Sequence, residues 1–271
     1  MKYTDISWRH AVIPLTAAYL FMRSYIIPKK SDAAVQSSVP FGSGKMFDKF
    51  AEYYDIGNRF MSLGQDQKWR DTLLREAEIG VTDSVLDLAT GSADVAIAAR
   101  KIFKANKVVG LDPSVEMLRV GREKIASEGL NGINLVEGDA QTMPEFKDAE
   151  FTKITMSFGI RNVPDRLKAL KEMRRVISPS ADSRLAIMEF SAPEEGSYLG
   201  QVARLFVRYL VPLIGGLITD AKDEYQYLEK SIFEFPSPPE FEKIIESAGF
   251  KMVKRTSRMA GVVNIYIAVP V

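Results

Sequence analysis

Arg161 and Asn162 follow an apolar run, Ile154-Thr155-Met156-Ser157-Phe158, that reads as a buried strand broken by Gly159. Pro164 and Asp165 come next and look like a helix start. In an open α/β sheet, the loop at the carboxyl end of a central strand faces the crevice where ligands bind. A guanidinium there can stabilise an oxygen that gains negative charge as a reaction proceeds. The plainer reading is that the two side chains only satisfy backbone groups at a helix end.

A second motif lies seventy residues upstream, where Val85-Leu86-Asp87-Leu88 ends in the small-residue turn Ala89-Thr90-Gly91-Ser92-Ala93. Helical spacing follows from Ala93 to Ile102. Twenty-one residues after Gly91, the apolar strand Val108-Val109-Gly110-Leu111 ends in Asp112. A turn of small residues lets the backbone approach a nucleoside, and a carboxylate ending the next strand can hold both ribose hydroxyls. Gly-Ser-Ala does not supply a full glycine cradle for a pyrophosphate, which argues against a dinucleotide. A ligand without phosphate, such as S-adenosylmethionine, remains compatible.

These residues need a scaffold, and the hydrophobic pattern supplies one. Helical spacing covers about 46–55 and 66–78, and strands are expected near 84–89, 107–111, 133–137, 152–158 and 184–190. Helices between them start near Ala93, Ser114 and Asp165. A last helix runs from Pro238 to Ala248, where Gly249 ends it, and strands near 250–257 and 262–268 flank an Ala260-Gly261 turn. The expected fold is α/β: a doubly wound, mostly parallel seven-stranded sheet of Rossmann-like type, with an antiparallel carboxyl-terminal hairpin and an amino-terminal helical extension.

The Asp87-to-Asp94 turn, Gly110-Leu111-Asp112-Pro113-Ser114 with Met117-Leu118, and Gly138-Asp139-Ala140-Gln141 with Met143-Pro144 resemble the ubiquinone/menaquinone-biosynthesis C-methyltransferase family. So do Ser157 to Ala169 with Glu172 to Ile177, Glu189-Phe190-Ser191, and Tyr227-Leu228 through Ser231-Ile232 to Phe235-Pro236. Met46-Phe47-Asp48, Tyr53-Tyr54-Asp55, Asn58, Met61 to Gly64 and Trp69-Arg70 look like the same family's helical lead-in. The resemblance spans roughly residues 45 to 271. Phe158-Gly159-Ile160-Arg161-Asn162 and the Ser231-to-Pro236 segment are its most specific parts.

The resemblance implies S-adenosylmethionine as cofactor and a polyprenylated quinol as methyl acceptor. It places Asp87 and Gly91 beside the methionyl part, Asp112 on the ribose, and Asp139 with Ala140 at the adenine. Arg161 is implied in the proton movement, with Asn162 and Asp112 in the supporting hydrogen-bond network. A guanidinium is a poor proton acceptor, so we read Arg161 as stabilising the developing phenolate or ordering a water that carries the proton away. Tyr54 and Tyr227 are expected to line the substrate pocket, or else to be core aromatics. The chain departs from the family's pattern at Ala93, where glycine is usual, and at Ser178-to-Ser183, where a glycine turn is usual. These departures keep a second function in play: a methyltransferase-fold structural or accessory subunit of a mitochondrial complex.

Composition narrows the rest. Lysine plus arginine (36) almost equals aspartate plus glutamate (35), so no global field attracts nucleic acid. Without cysteine there is no disulfide and no cysteine–zinc site, and the single histidine, His10, lies ahead of the domain. We divide the chain into an extension, 1–45, and a methyltransferase domain, 46–271. The extension is basic, with Asp5 and Asp32 as its only acids, and carries an apolar run from Ala11 to Met22. That run is short of the roughly 20 residues a membrane span needs. It suits a transit peptide or surface anchor, with an extra helix packed on the domain as the lesser alternative. An apolar insertion at 198–220 carries Arg204 and Arg208 one helical turn apart. It reads as a lid touching a membrane surface, or as a core helix with solvated arginines. Peripheral membrane contact, a quinone-biosynthesis complex, and the matrix side of the mitochondrial inner membrane (or a plastid) are the corresponding expectations.

Overall fold

The computed structural model describes residues 65–192 and 230–271, with Asp48, Ala51, Asp55, Asn58, Arg59, Ser62 and Gly64 ahead of them. The extension 1–45, the insertion 198–220 with Arg204 and Arg208, Tyr54 and Tyr227 lie outside the described residues.

Seven strands form one sheet: β1 (Ser84–Leu88), β2 (Lys107–Asp112), β3 (Ile133–Glu137), β4 (Lys153–Ser157), β5 (Arg184–Phe190), β6 (Phe250–Arg258) and β7 (Val263–Pro270). Their order is β3-β2-β1-β4-β5-β7-β6. The first five are parallel, and β7 inserts antiparallel between β5 and β6. This is the expected architecture. Parallel strands covered on both faces are largely apolar, and Val85, Leu86, Leu88, Ile154 and Ile187 are all fully buried, with Asp87, Thr155 and Glu189 as buried polar exceptions near the carboxyl ends.

The helices are α1 (Asp66–Glu76), α2 (Asp94–Lys101), α3 (Val115–Ser127), α4 (Arg166–Val176) and α5 (Pro238–Ser247). Their starts follow local chemistry. The Ser114 hydroxyl accepts from the Met117 N–H at 3.1 Å, and the Asp165 carboxylate accepts from the Lys168 N–H at 2.9 Å. Glu240 accepts from both the N–H and the hydroxyl of Ser237, ahead of Pro238. Gly249 follows α5 at φ +92°, where a side chain would be strained.

Element ends shift by a residue or two from the sequence-based expectation, and two details bear on the site. Strand β4 stops at Ser157, one residue early, because Phe158 turns the chain at φ +58°. The Arg161 loop is a 3₁₀ turn, Ile160–Asn162, rather than an irregular link.

What positions the site is the neighbourhood of β1 and β4. The chain leaves β1 toward β2 on one side and returns to β4 on the other, which opens a crevice at their carboxyl ends. Gly159 makes the contact across it. A Cβ built on Gly159 would stand 2.4 Å from Ala89 Cβ, closer than real atoms approach. The Arg161 turn and the Asp87-to-Asp94 turn can therefore touch only because residue 159 has no side chain.

Candidate active site

Asp87 lies near the end of β1 and is buried. Its two carboxylate oxygens accept from the hydroxyls of Thr90, at 2.6 Å, and Thr155, at 2.7 Å. Burial pushes its carboxyl up to about 6, against the pull of the two threonines and of Arg70. Thr90 belongs to the turn and Thr155 to β4, so Asp87 ties the turn to the neighbouring strand. Gly91 occupies φ +56° inside that turn.

Asp112 ends β2 as expected and is only 7% exposed. One oxygen accepts from the Gly91 N–H at 2.8 Å and the other from the Ser114 N–H at 2.9 Å. Each oxygen keeps a second lone pair, which suits a pair of ribose hydroxyls. Burial pushes this carboxyl up to about 6 as well, outweighing the two backbone donors.

The amino terminus of α2, usually an anion site, already carries a charge of its own. Asp94 is its first residue, with Arg70 at 2.6 Å and Lys124 also in contact. Burial opposes ionisation of Asp94, but the two cations win and hold its carboxyl below the ordinary value. A pyrophosphate brought here would meet that carboxylate. The site fits a nucleoside ligand with no phosphate, and the methionyl ammonium and sulfonium of S-adenosylmethionine suit its acidic lining.

The lead-in segment is fastened to the same turn. The hydroxyl of Ser114, two residues beyond Asp112, donates to Asp48. The Ser92 hydroxyl donates to Asp55 at 2.6 Å, and Lys124 reaches Asp55 at 2.9 Å. Sequence reasoning gave Asp48, Asp55, Arg70 and Lys124 no role. Only their appearance within or beside the family's motifs marked any of them.

Asp139 is exposed in the bend after β3, and Ala140 is buried beside it. Both Asp139 oxygens accept from the Gln141 side chain, whose own carbonyl accepts from the Asp165 N–H at 3.0 Å. Gln141 thus links the expected adenine loop to the helix that follows Arg161.

Arg161 is where the structure adds most. Its side chain is 7% exposed, and Nη1 donates to Glu189 at 2.8 Å and to the Phe158 carbonyl at 2.6 Å. The Arg161 N–H donates to the other Glu189 oxygen at 3.1 Å. The guanidinium also stands 5.6 Å from the centre of the Phe190 ring, which stacks on Phe158 at 4.4 Å. Arg161 is therefore one half of a buried ion pair, and not a cation swinging freely in the crevice. Its Nε, also buried, has no hydrogen-bond partner among the described residues. Asn162 closes the same turn, its N–H donating to the Gly159 carbonyl at 3.0 Å.

Both sequence departures have local explanations. Ala93 sits at φ +68°, which glycine tolerates better. Its methyl is buried facing α3, 3.1 Å from where a Cβ on Gly121 would stand. The Ser178-to-Ser183 loop leads into the amino end of β5, at the opposite end of the sheet from Glu189. It is closed by a Ser183 N–H bond to the Ser180 carbonyl and by Lys153 donating to the Asp182 carbonyl. Neither departure removes a chemical group from the crevice.

Comparison with known proteins agrees with this geometry. Residues 36–270 match the ubiE/COQ5 methyltransferase family. A demethylmenaquinone methyltransferase of Staphylococcus haemolyticus is 37% identical over 223 residues, 82% of this chain and 91% of the relative. A ubiquinone/menaquinone biosynthesis C-methyltransferase of Geotalea uraniireducens is 37% identical over 225 residues, 82% of this chain and 94% of that one. Among solved structures, a SAM dependent methyltransferase from Aquifex aeolicus superposes with a TM-score of 0.59. It covers 83% of this chain and 98% of its own, at 20% identity, which speaks for the fold.

Proposed function

The chain belongs to the ubiE/COQ5 methyltransferase family, and on that premise we propose that it methylates a ring carbon of a polyprenylated benzoquinol, with S-adenosylmethionine as donor, in ubiquinone or a related quinone's biosynthesis. The supporting observation is the contact of Gly159 with Ala89. It brings the turn that carries buried Arg161 against the small-residue turn after β1, whose Gly91 is bonded to the carboxylate suited to a ribose.

S-adenosylmethionine, when bound, supplies an electrophilic methyl group whose departing sulfur leaves uncharged. The chain's own residues do the rest. Asp112, with Gly91 and Ser114 locked to it, would orient the ribose. Asp87 holds the turn rigid through Thr90 and Thr155. A quinol ring carbon is a good nucleophile once the neighbouring hydroxyl has lost its proton. Arg161 would stabilise the phenolate, and a water would take the proton, since the guanidinium is a poor acceptor. Once the carbon–methyl bond has formed, the ring carbon's own hydrogen leaves as a proton to water and aromaticity returns. The phenolate so regenerated takes up a proton, so that one proton is released overall. Alignment of the two partners within reacting distance, with water excluded, supplies much of the acceleration.

The basic extension and the apolar 198–220 segment support two companion proposals. The first is delivery to the mitochondrion, on the matrix side of the inner membrane. The second is peripheral contact with a membrane or a quinone-biosynthesis complex, where a polyprenylated acceptor resides. The deciding experiment gives the full chain methyl-labelled cofactor and a panel of demethylated quinols, and identifies the product by mass. Label appearing on a ring carbon is the expected result. Label on oxygen, on nitrogen, or on none of the quinols would overturn the proposal.

A further inference from the structure

We propose that Glu189 is the positioning residue for Arg161 in the methyl-transfer step, an inference that rests on the function proposed above. Glu189 is fully buried at the end of β5. Its backbone is fixed on both sides, by the Phe158 N–H just past β4, which donates to the Met188 carbonyl at 2.8 Å, and by β7 through the Glu189–Asn264 pairing. Its carboxylate has no freedom left. One oxygen accepts from Arg161 Nη1 and from the Phe190 N–H, and the other accepts from the Arg161 N–H.

These bonds hold both ends of one residue. The Arg161 backbone and the Arg161 guanidinium are each tied to the same carboxylate, so the 3₁₀ turn and the direction of the side chain are set together. They also select which edge of the planar guanidinium is consumed. Among the described residues, both side-chain bonds leave from Nη1, toward Glu189 and the Phe158 carbonyl, while the buried Nε hydrogen meets no acceptor. A buried donor without a partner costs free energy, and the cost is recovered when an oxygen arrives. An acceptor's phenolate oxygen at the Nε edge is the chemistry that would recover it. Glu189 neutralises the guanidinium in the ground state and leaves its unused edge aimed by geometry. The Phe190 ring beneath the guanidinium keeps it from tilting.

A merely structural ion pair would make a different prediction, so the test is a cycle read on turnover. Steady-state kcat and KM for the quinol, with the cofactor dissociation constant measured separately, are compared for wild type, Glu189→Gln, Glu189→Asp, Arg161→Ala and the double variant Arg161→Ala/Glu189→Gln. Glu189→Gln should lower kcat at least tenfold, with cofactor affinity within twofold of wild type. Glu189→Asp, which keeps the charge but withdraws it by one methylene, should recover part of that loss. The double variant should be no slower than Arg161→Ala alone, because Glu189 acts only through Arg161. Multiplicative losses, or a Glu189→Gln enzyme with wild-type kcat, would overturn the inference. Should Glu189→Gln fail to fold, Glu189→Asp carries the decision: kcat at least threefold down with unchanged cofactor affinity supports it, and unchanged kcat overturns it. A wild-type chain that binds the cofactor but methylates no quinol fails differently: it sinks the proposed function, and this inference with it.

Discussion

Cofactor binding should release protons, because Asp112 is ionised with difficulty until a ligand arrives. In the free protein burial pushes its carboxyl from the ordinary 3.8 up to about 6. That difference corresponds to about 3 kcal/mol favouring the protonated form. Ribose hydroxyls bond more strongly to an ionised carboxylate than to a neutral carboxyl, and the cofactor's cationic groups favour the negative charge further. If binding returns the group to its ordinary value, affinity at pH 5 is lower than at pH 7 by about tenfold. The sign for folding runs the opposite way. The stability contributed by the raised group is fully present below pH 3.8 and is lost as pH rises through about 6. The assay is calorimetric titration of the full chain with S-adenosylmethionine at pH 5, 6 and 7, for wild type and Asp112→Asn. Wild type should show the affinity gain and proton release near pH 6, and Asp112→Asn should bind weakly with a much flatter profile. A wild-type affinity that does not change from pH 5 to 7 would refute the reasoning. If Asp112→Asn keeps the full wild-type dependence, the titrating group is elsewhere, and Asp87, also raised to about 6, becomes the candidate.

Other substitutions have outcomes of known direction. Arg161→Ala should lower turnover about a hundred- to a thousandfold, and should also lose about 3–5 kcal/mol of stability by stranding Glu189, measured by denaturant unfolding. The sequence alone would suggest a normal melting temperature for that variant, and the buried pair corrects it. Gly159→Ala should separate the two turns, because the new Cβ meets Ala89 at 2.4 Å. A drop in turnover of more than tenfold is expected, and wild-type kinetics would show that the contact is dispensable. Thr155→Val removes one of the two donors to buried Asp87, at a cost of about 1–3 kcal/mol in urea unfolding. Ala93→Gly should be nearly neutral in the same assay. Relief of about 1–2 kcal/mol of left-handed strain is offset by a lost buried methyl, about 0.8 kcal/mol, and by a freer unfolded chain, about 0.4–1 kcal/mol.

Much of this protein is determined locally and so can be read from its residues in order. Largely apolar strands between amphipathic helices define a doubly wound sheet, since both patterns follow from backbone geometry. The turn after β1 and the acid ending β2 need only the right spacing along the chain, and Asp112 stands where that spacing puts it. Gly159 was legible as a break, but its reason was not: Phe158 makes the turn, and Gly159 makes room for Ala89. What the tertiary structure decided are the properties that belong to no single segment. Arg161 and Glu189 are 28 residues apart on separate elements, and only the side-by-side pairing of β4 and β5 turns an apparently free cation into half of a buried pair. Asp48 and Asp55 reach Ser114 and Ser92 across more than 30 residues, a closeness that no local pattern encodes. The raised carboxyls of Asp87 and Asp112 depend on everything packed around them, because desolvation is set by the whole fold's exclusion of water.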